Sequence, residues 1–138
     1  IEEKCKKTIP TIFATEGEGY FRKLETQVIT ELFGVLEHSV LSVGGGLPIT
    51  KGNAALLKRL GQVIYLKASK ETIQKRLEGD TTRPLLAGQD VKKKVEELLE
   101  YREPIYEATA QHVVETDDKS IDIIIAEIIR LSGMGEKV

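Results

Sequence analysis

The chain has 138 residues, of which 41% are apolar and 30% charged, and its formal net charge is −2. This length suits one domain with a hydrophobic core. The charge favours neither a nucleic-acid-binding nor a membrane-binding surface. No apolar run approaches the roughly 18 residues that span a bilayer. Cys5 is the only cysteine, so an intrachain disulfide is excluded, and the composition suits the reducing cytoplasm.

The first part of the chain is predicted to be helical. A short helix over residues 10–16 begins at Pro10, which suits a first helical turn, and ends at Gly17. A longer helix over residues 19–36 follows. Its apolar residues recur every three or four positions and predict one buried stripe: Phe21, Leu24, Val28, Leu32 and Val35. Arg22 and Glu25 lie three residues apart and can form an ion pair, which in solvent contributes under about 1 kcal/mol.

Residues 40–43 are rich in Val and Leu and end in Gly44, Gly45 and Gly46. A short apolar run of this kind predicts a buried strand. The three glycines permit positive φ and let a ligand approach the bare backbone N–H groups. In open α/β sheets, ligands bind at the carboxyl ends of strands. We therefore interpret this turn as a binding site; the alternative is a flexible loop that only joins two elements.

The rest of the chain alternates strands with helices. Strands are predicted over residues 63–66 and 112–116. Polar caps predict where the helices begin: Asn53, Ser69, Asp90 and Ser120. Four isoleucines of the last helix are predicted to be buried: Ile121, Ile124, Ile125 and Ile128. The alternation predicts an α/β fold, a three-layer parallel sheet with helices on both faces, formed by residues 1–138 as a single domain.

Six short motifs together resemble shikimate kinase, a member of the P-loop nucleoside monophosphate kinase-like group. They occur in the family's order and cover almost the whole chain: residues 9–13, 17–25, 44–46, 63–66, 83–86 and 101–106. The resemblance implies a kinase that transfers the γ-phosphoryl group of ATP to the 3-hydroxyl of shikimate in aromatic amino-acid (chorismate) biosynthesis. It also implies Mg²⁺ as cofactor, a cytoplasmic location, and a monomer when the protein is intact.

The resemblance also implies roles for individual residues. Arg22 and Arg102 bind the shikimate carboxylate, for which a guanidinium fork is better suited than lysine. Glu25 fixes Arg22, and the backbone N–H groups of Gly44, Gly45 and Gly46 face the substrate. Residues of the nucleotide side are Arg76, which packs on adenine, and Arg83, a catalytic arginine on a mobile lid over residues 79–89 that meets the phosphates. Lys119 is a weaker candidate for the adenine loop, and taken singly any of these arginines could instead be an ordinary surface residue.

The sequence holds no G-x-x-x-x-G-K-[S/T] motif, the loop that cradles nucleotide phosphates and supplies a hydroxyl to Mg²⁺. In the family this loop, the first strand and an acidic substrate-binding residue precede the position where this chain begins. We therefore expect a shikimate kinase without its amino-terminal portion, and the absence of an initiator Met favours a cut chain. On this interpretation residues 1–138 alone are inactive and do not form a stable monomer, because two buried strands would each lack a ladder partner.

Three functions remain open from the sequence. The first is shikimate kinase, and the second is a related small-molecule kinase with another anionic acceptor. The third is a non-catalytic binding module, if the chain natively lacks a phosphate loop.

Overall fold

The computed structural model describes residues 1–77 and 91–133. Its elements, in chain order, are α1 Glu2–Cys5, α2 Ile9–Glu31, α3 Asn53–Leu60, β1 Ile64–Lys67, α4 Lys70–Leu77, α5 Val91–Thr109, β2 His112–Glu115 and α6 Ile121–Ser132. Strands alternate with helices as expected, and the α/β class is confirmed. The predicted lid over residues 79–89, with Arg83, lies outside the described residues, as does the predicted cap Asp90.

The two strands form a parallel pair, in register from Ile64 opposite His112 to Lys67 opposite Glu115. Both were predicted from the sequence to within a residue or two. Val114 of β2 is fully buried, and α6 packs against this strand. On the other side of the molecule α5 contacts both α3 and α4, and α3 contacts α2. The site described below lies among these helices.

Helix α2 consists of two helical pieces that meet at Gly17. The first piece is capped by Thr8, whose Oγ1 accepts the Thr11 backbone N–H at 3.3 Å. Gly17 has φ 86° and ψ 170°, a region of backbone conformation open essentially to glycine alone. The break predicted at this glycine is therefore confirmed. It separates the piece that carries Phe13 from the piece that carries Arg22.

Two small hydrophobic clusters hold α2 in place. Ile12, Phe21 and Leu24 form the first, with Ile1, Cys5, Ile9 and Phe13 packed around them. Ile29 forms the second with Leu47 and Leu57. The predicted stripe is correct in the middle of the helix and wrong at its end. Val35 is 70% exposed, because α2 ends at Glu31 and the chain then turns away.

Residues 40–43 do not form the predicted strand. Val40 is 85% exposed, and no backbone hydrogen bond joins these residues to another described segment. An extended segment becomes a strand only when a neighbour satisfies its backbone groups, and none of the described segments does so here. A groove of about 260 Å³ instead lies between this segment and the start of β1.

Two further predictions require correction. The isoleucines of α6 are not buried: Ile121 is 75% exposed, and Ile124 and Ile128 are half-buried. Asn53 is not a cap either, since it is the first residue of α3 and is fully buried. By contrast, the Ser120 and Ser69 caps are confirmed. Their hydroxyls accept the backbone N–H groups of Ile123 and Thr72, at 3.3 and 3.2 Å.

Candidate active site

A pocket of about 520 Å³ lies between α2, α4 and α5. Residues 44–47, which we call the glycine turn, form part of its wall through their three glycines. It is lined by seven residues singled out from the sequence: Arg22, Glu25, Gly44, Gly45, Gly46, Arg76 and Arg102. These residues come from four separate parts of the chain. The fold thus brings three guanidinium groups and one carboxylate to a single cavity, together with a stretch of side-chain-free backbone.

Arg22 is held firmly on the α2 wall. Its Nη1 donates to Glu25 Oε1 at 2.7 Å, and its Nε lies 3.7 Å from Glu18 Oε1. The guanidinium also lies over the Phe21 ring, 5.2 Å from the ring centre. Glu25 is only 6% exposed, so Arg22 neutralises a carboxylate that burial would otherwise make costly. The pair fixes one guanidinium at the pocket wall.

Arg102 reaches the same pocket from α5. Within residues 1–77 and 91–133, its side chain makes no hydrogen bond or ion pair. Among the described residues, Glu25 is the only acidic one in the lining. Three arginines against one carboxylate leave a positive pocket, which is suited to an anionic ligand.

The glycine turn lies directly against these arginines. A Cβ on Gly46 would collide with the Arg22 guanidinium, and a Cβ on Gly45 would lie 3.4 Å from Arg102 Nη1. None of the three glycines has positive φ, so the conformational reason suggested by the sequence is wrong. At Gly45 and Gly46, glycine is instead required for close approach. Among the described residues, no acceptor is hydrogen-bonded to the N–H groups of Gly44, Gly45 and Gly46.

Much of the pocket lining is apolar. Phe13 and Phe21 form a tilted aromatic pair, with ring centres 4.9 Å apart. The remaining apolar lining residues come from α2, α4 and α5: Ile9, Ile73, Leu77, Val95, Leu98 and Leu99. The lining therefore suits a ligand that carries an anionic group and an apolar ring or chain.

A family model described as shikimate kinase matches residues 1–132. The chain belongs to the shikimate kinase family. It is 43% identical over 135 residues to the shikimate kinase of Dictyoglomus turgidum, covering 94% of this chain and 76% of that relative. It is 39% identical over 137 residues to the enzyme of Thioalkalivibrio sulfidiphilus, covering 99% of this chain and 72% of that one.

Two solved structures of shikimate kinases superpose well. The shikimate kinase of Acinetobacter baumannii in complex with shikimate has a TM-score of 0.87 and 34% identity, covering 99% of this chain and 75% of its own. The enzyme of Bacteroides thetaiotaomicron has a TM-score of 0.80 and 29% identity, covering 98% and 78%. Both likenesses extend over nearly the whole chain, so they confirm the fold.

The residues predicted to contact the nucleotide do not all lie at this pocket. Arg76 lines the pocket but is exposed on α4, and Arg83 lies outside the described residues. Lys119 does not line the pocket; its Nζ pairs with Glu127 Oε2 of α6 at 3.1 Å. Nearby, both carboxylate oxygens of Asp117 lie 3.1 Å from the Ser69 backbone N. Hydrogen bonds from the Ser69 N–H and the Thr72 hydroxyl lower the pKa of Asp117.

Sequence reasoning missed two residues that brace the glycine turn. The Tyr106 hydroxyl donates to the Gly45 carbonyl at 2.5 Å. Asn53 Nδ2 donates to the Leu47 carbonyl at 2.9 Å, and Asn53 Oδ1 accepts the Thr26 hydroxyl at 2.9 Å. The position of Tyr106 four residues after Arg102, and hence on the same helix face, was the available signal.

Neither a metal centre nor a membrane span is found in the part of the chain that the structure describes. No group of three or more His, Cys, Asp or Glu side chains there could hold a metal ion. No helix there has the length and hydropathy needed to cross a bilayer.

Proposed function

We propose that this pocket is the acceptor site of an ATP-dependent shikimate kinase, and that it binds shikimate through its carboxylate. The observation that carries the proposal is the convergence on one cavity of Arg22, Arg102 and three glycines whose N–H groups have no acceptor among the described residues. The relative of known structure from Acinetobacter baumannii is a complex with shikimate. The family phosphorylates this acceptor in aromatic biosynthesis.

The charges of the pocket match a monocarboxylate that also carries a ring. No described residue pairs with the Arg102 guanidinium, so it can form two parallel hydrogen bonds with a carboxylate, a geometry that lysine cannot supply. Arg22 already donates to Glu25 at 2.7 Å, so its orientation is set before the substrate arrives. Preorganisation of this kind lowers the entropic cost of binding. Phe13 and Phe21 offer an apolar surface to the carbon ring.

The glycine turn is proposed to bind the polar edge of the acceptor. Its free N–H groups can donate to hydroxyl or carboxylate oxygens, and the absence of side chains allows close contact. This holds the acceptor in one orientation. In phosphoryl transfer, positioning together with charge stabilisation accounts for most of the catalysis.

ATP supplies the γ-phosphoryl group, and Mg²⁺ is proposed to accompany it. No described cluster fits a metal ion and the sequence lacks a Walker A motif, so no step is assigned to a metal or to a phosphate-binding loop of this chain. Arg76 is proposed to contact the nucleotide, and Arg83 the phosphates during catalysis. We further propose that the protein acts in the cytoplasm as a monomer.

The test is calorimetric titration of shikimate into the protein in its full natural length, with Arg22→Lys and Arg102→Lys. Each substitution keeps the charge and removes the fork, so we expect affinity to fall about 10- to 100-fold, as for a charged hydrogen bond of about 1.5–3 kcal/mol. The matched control is Arg59→Lys. Arg59 is a residue of α3, its guanidinium lies over the Phe33 ring, and it does not line the pocket.

A second titration uses the methyl ester of shikimate, which lacks the negative charge. The wild-type protein should bind the ester much more weakly than the acid, and the two arginine variants should discriminate less between them. Unchanged shikimate affinity in both lysine variants would reject the proposed site. Tight binding and turnover of another anionic hydroxy acid, with none for shikimate, would favour the related-kinase alternative.

A further inference from the structure

Tyr106 lies on α5, the helix that carries Arg102. Among the described residues, it is the one hydroxyl-bearing side chain that joins this helix to the glycine turn. It lies one helical turn after Arg102 on α5. Its hydroxyl donates to the Gly45 carbonyl at 2.5 Å. A Cβ on Gly45 would lie 2.9 Å from this hydroxyl oxygen. The tyrosine thus contacts both the carbonyl and the α-carbon side of the same glycine.

The tyrosine ring is itself held in place. It packs against Tyr65 of β1, with ring centres 5.2 Å apart and ring planes inclined by 51°. Burial raises the pKa of Tyr65, with a further contribution from Glu103, so this ring stays neutral around physiological pH. Strand β1 therefore sets the position of the Tyr106 ring, and the ring sets the position of its hydroxyl.

The hydrogen bond fixes more than one atom of the turn. No described peptide bond is cis, and a trans peptide directs its C=O and the next N–H in opposite directions. Fixing the Gly45 carbonyl on Tyr106 therefore fixes the direction of the free Gly46 N–H. At the other end of the turn, Asn53 holds the Leu47 carbonyl at 2.9 Å. The two braces come from different helices.

We propose that Tyr106 is a positioning residue of the acceptor site. It aligns the glycine-turn N–H groups with Arg102, so that one ligand meets both. The inference rests on the proposed function of this pocket. It assigns Tyr106 no direct contact with substrate and predicts an effect on acceptor binding that is separate from folding.

The experiment compares Tyr106→Phe with Tyr101→Phe in the full-length protein. Tyr106→Phe keeps the ring against Tyr65 and removes only the hydroxyl. Tyr101 lies on the same helix and is 64% exposed, so it is the matched control. We expect the KM and Kd for shikimate to rise about 2- to 12-fold in Tyr106→Phe, as for one lost hydrogen bond. The KM for ATP and the melting temperature should stay near wild type, and Tyr101→Phe should change none of these quantities.

A double-mutant cycle with Gly45→Ala identifies the route of the effect. The alanine Cβ meets the tyrosine hydroxyl at 2.9 Å, and Gly45 has no positive φ that would add strain. Gly45→Ala should therefore weaken shikimate binding less in the Tyr106→Phe background than in the wild-type background. Fully multiplicative losses would show that the tyrosine does not act through Gly45.

The outcomes separate this inference from the function on which it rests. If Arg102→Lys weakens shikimate binding and Tyr106→Phe does not, the positioning role is wrong and the acceptor site stands. If Arg22→Lys, Arg102→Lys and Tyr106→Phe all leave shikimate binding unchanged, the proposed site itself fails. A loss of melting temperature in Tyr106→Phe with an unchanged shikimate KM would assign the hydroxyl to folding alone and overturn the inference.

Discussion

The glycine turn and the segment that precedes it adjoin in sequence but differ in how they are held. Gly45 and Leu47 each give a carbonyl to a side chain from another helix, Tyr106 and Asn53. Residues 40–43 receive no such bond from the part of the chain that the structure describes, and Val40 is 85% exposed. Side-chain braces order the turn without a sheet, whereas an extended segment needs a neighbouring strand. The turn therefore keeps its shape through two side-chain hydrogen bonds, whereas residues 40–43 have no ladder partner among the described residues.

We expect the largest loss of shikimate affinity from Gly46→Ala, which acts by displacing Arg22. The new methyl group would occupy the position of the Arg22 guanidinium and displace it from Glu25. We expect shikimate affinity to fall at least about 30-fold, as for loss of a charged hydrogen bond. Gly19→Ala on α2 is the control, because nothing lies within 4 Å of its Cβ; it should leave affinity unchanged. Normal affinity in Gly46→Ala would show that Arg22 can move without cost.

Asn53→Ala removes the second brace of the turn. Asn53 is fully buried, and its loss leaves the Leu47 carbonyl without its donor. We expect the free energy of unfolding to fall by about 1–3 kcal/mol, with a higher KM for shikimate. Gln27→Ala, at an exposed position of α2, should change neither. Chemical denaturation and steady-state kinetics measure the two effects, and a loss of stability without a KM change would limit Asn53 to folding.

Val114→Ala and Val40→Ala compare how much β2 and residues 40–43 each contribute to the free energy of unfolding. Val114 lies fully buried in β2, so its truncation should cost about 2 kcal/mol of unfolding free energy. The same change at exposed Val40 should cost under about 0.5 kcal/mol. Equal losses measured by denaturation would mean that residues 40–43 are packed in solution and that the comparison is wrong.

The smallest expected effect is the pH dependence of the stability that Asp117 contributes. Its pKa is lowered by the Ser69 backbone N–H and the Thr72 hydroxyl, so its contribution to stability is complete above its unfolded pKa of about 3.9. That contribution is lost as the pH falls through the lower folded value. The difference in unfolding free energy between wild type and Asp117→Asn should be constant above about pH 5 and shrink below about pH 4.

Much of the helical and strand framework could be predicted from local sequence. Caps at Ser69 and Ser120 and the break at Gly17 act within a few residues, and short apolar runs marked β1 and β2 correctly. Residues 40–43 are an apolar run of the same kind, yet they do not form a strand, because no described segment pairs with them. The isoleucines of α6 show the same limit, since the sequence marks an apolar face without showing whether anything covers it.

For the site, the sequence determined which chemistry was available: arginine forks, a carboxylate three residues from Arg22, and three glycines. Periodicity and composition did not show that Arg22 and Arg102, far apart in the chain, share one cavity; the family resemblance implied it, and only the tertiary structure shows it. It also decided that the glycines serve close approach rather than positive φ, and that Tyr106 and Asn53 brace them. Such contacts join residues separated along the chain by up to 61 positions. Local propensity has no means to specify them, because they depend on how whole helices pack.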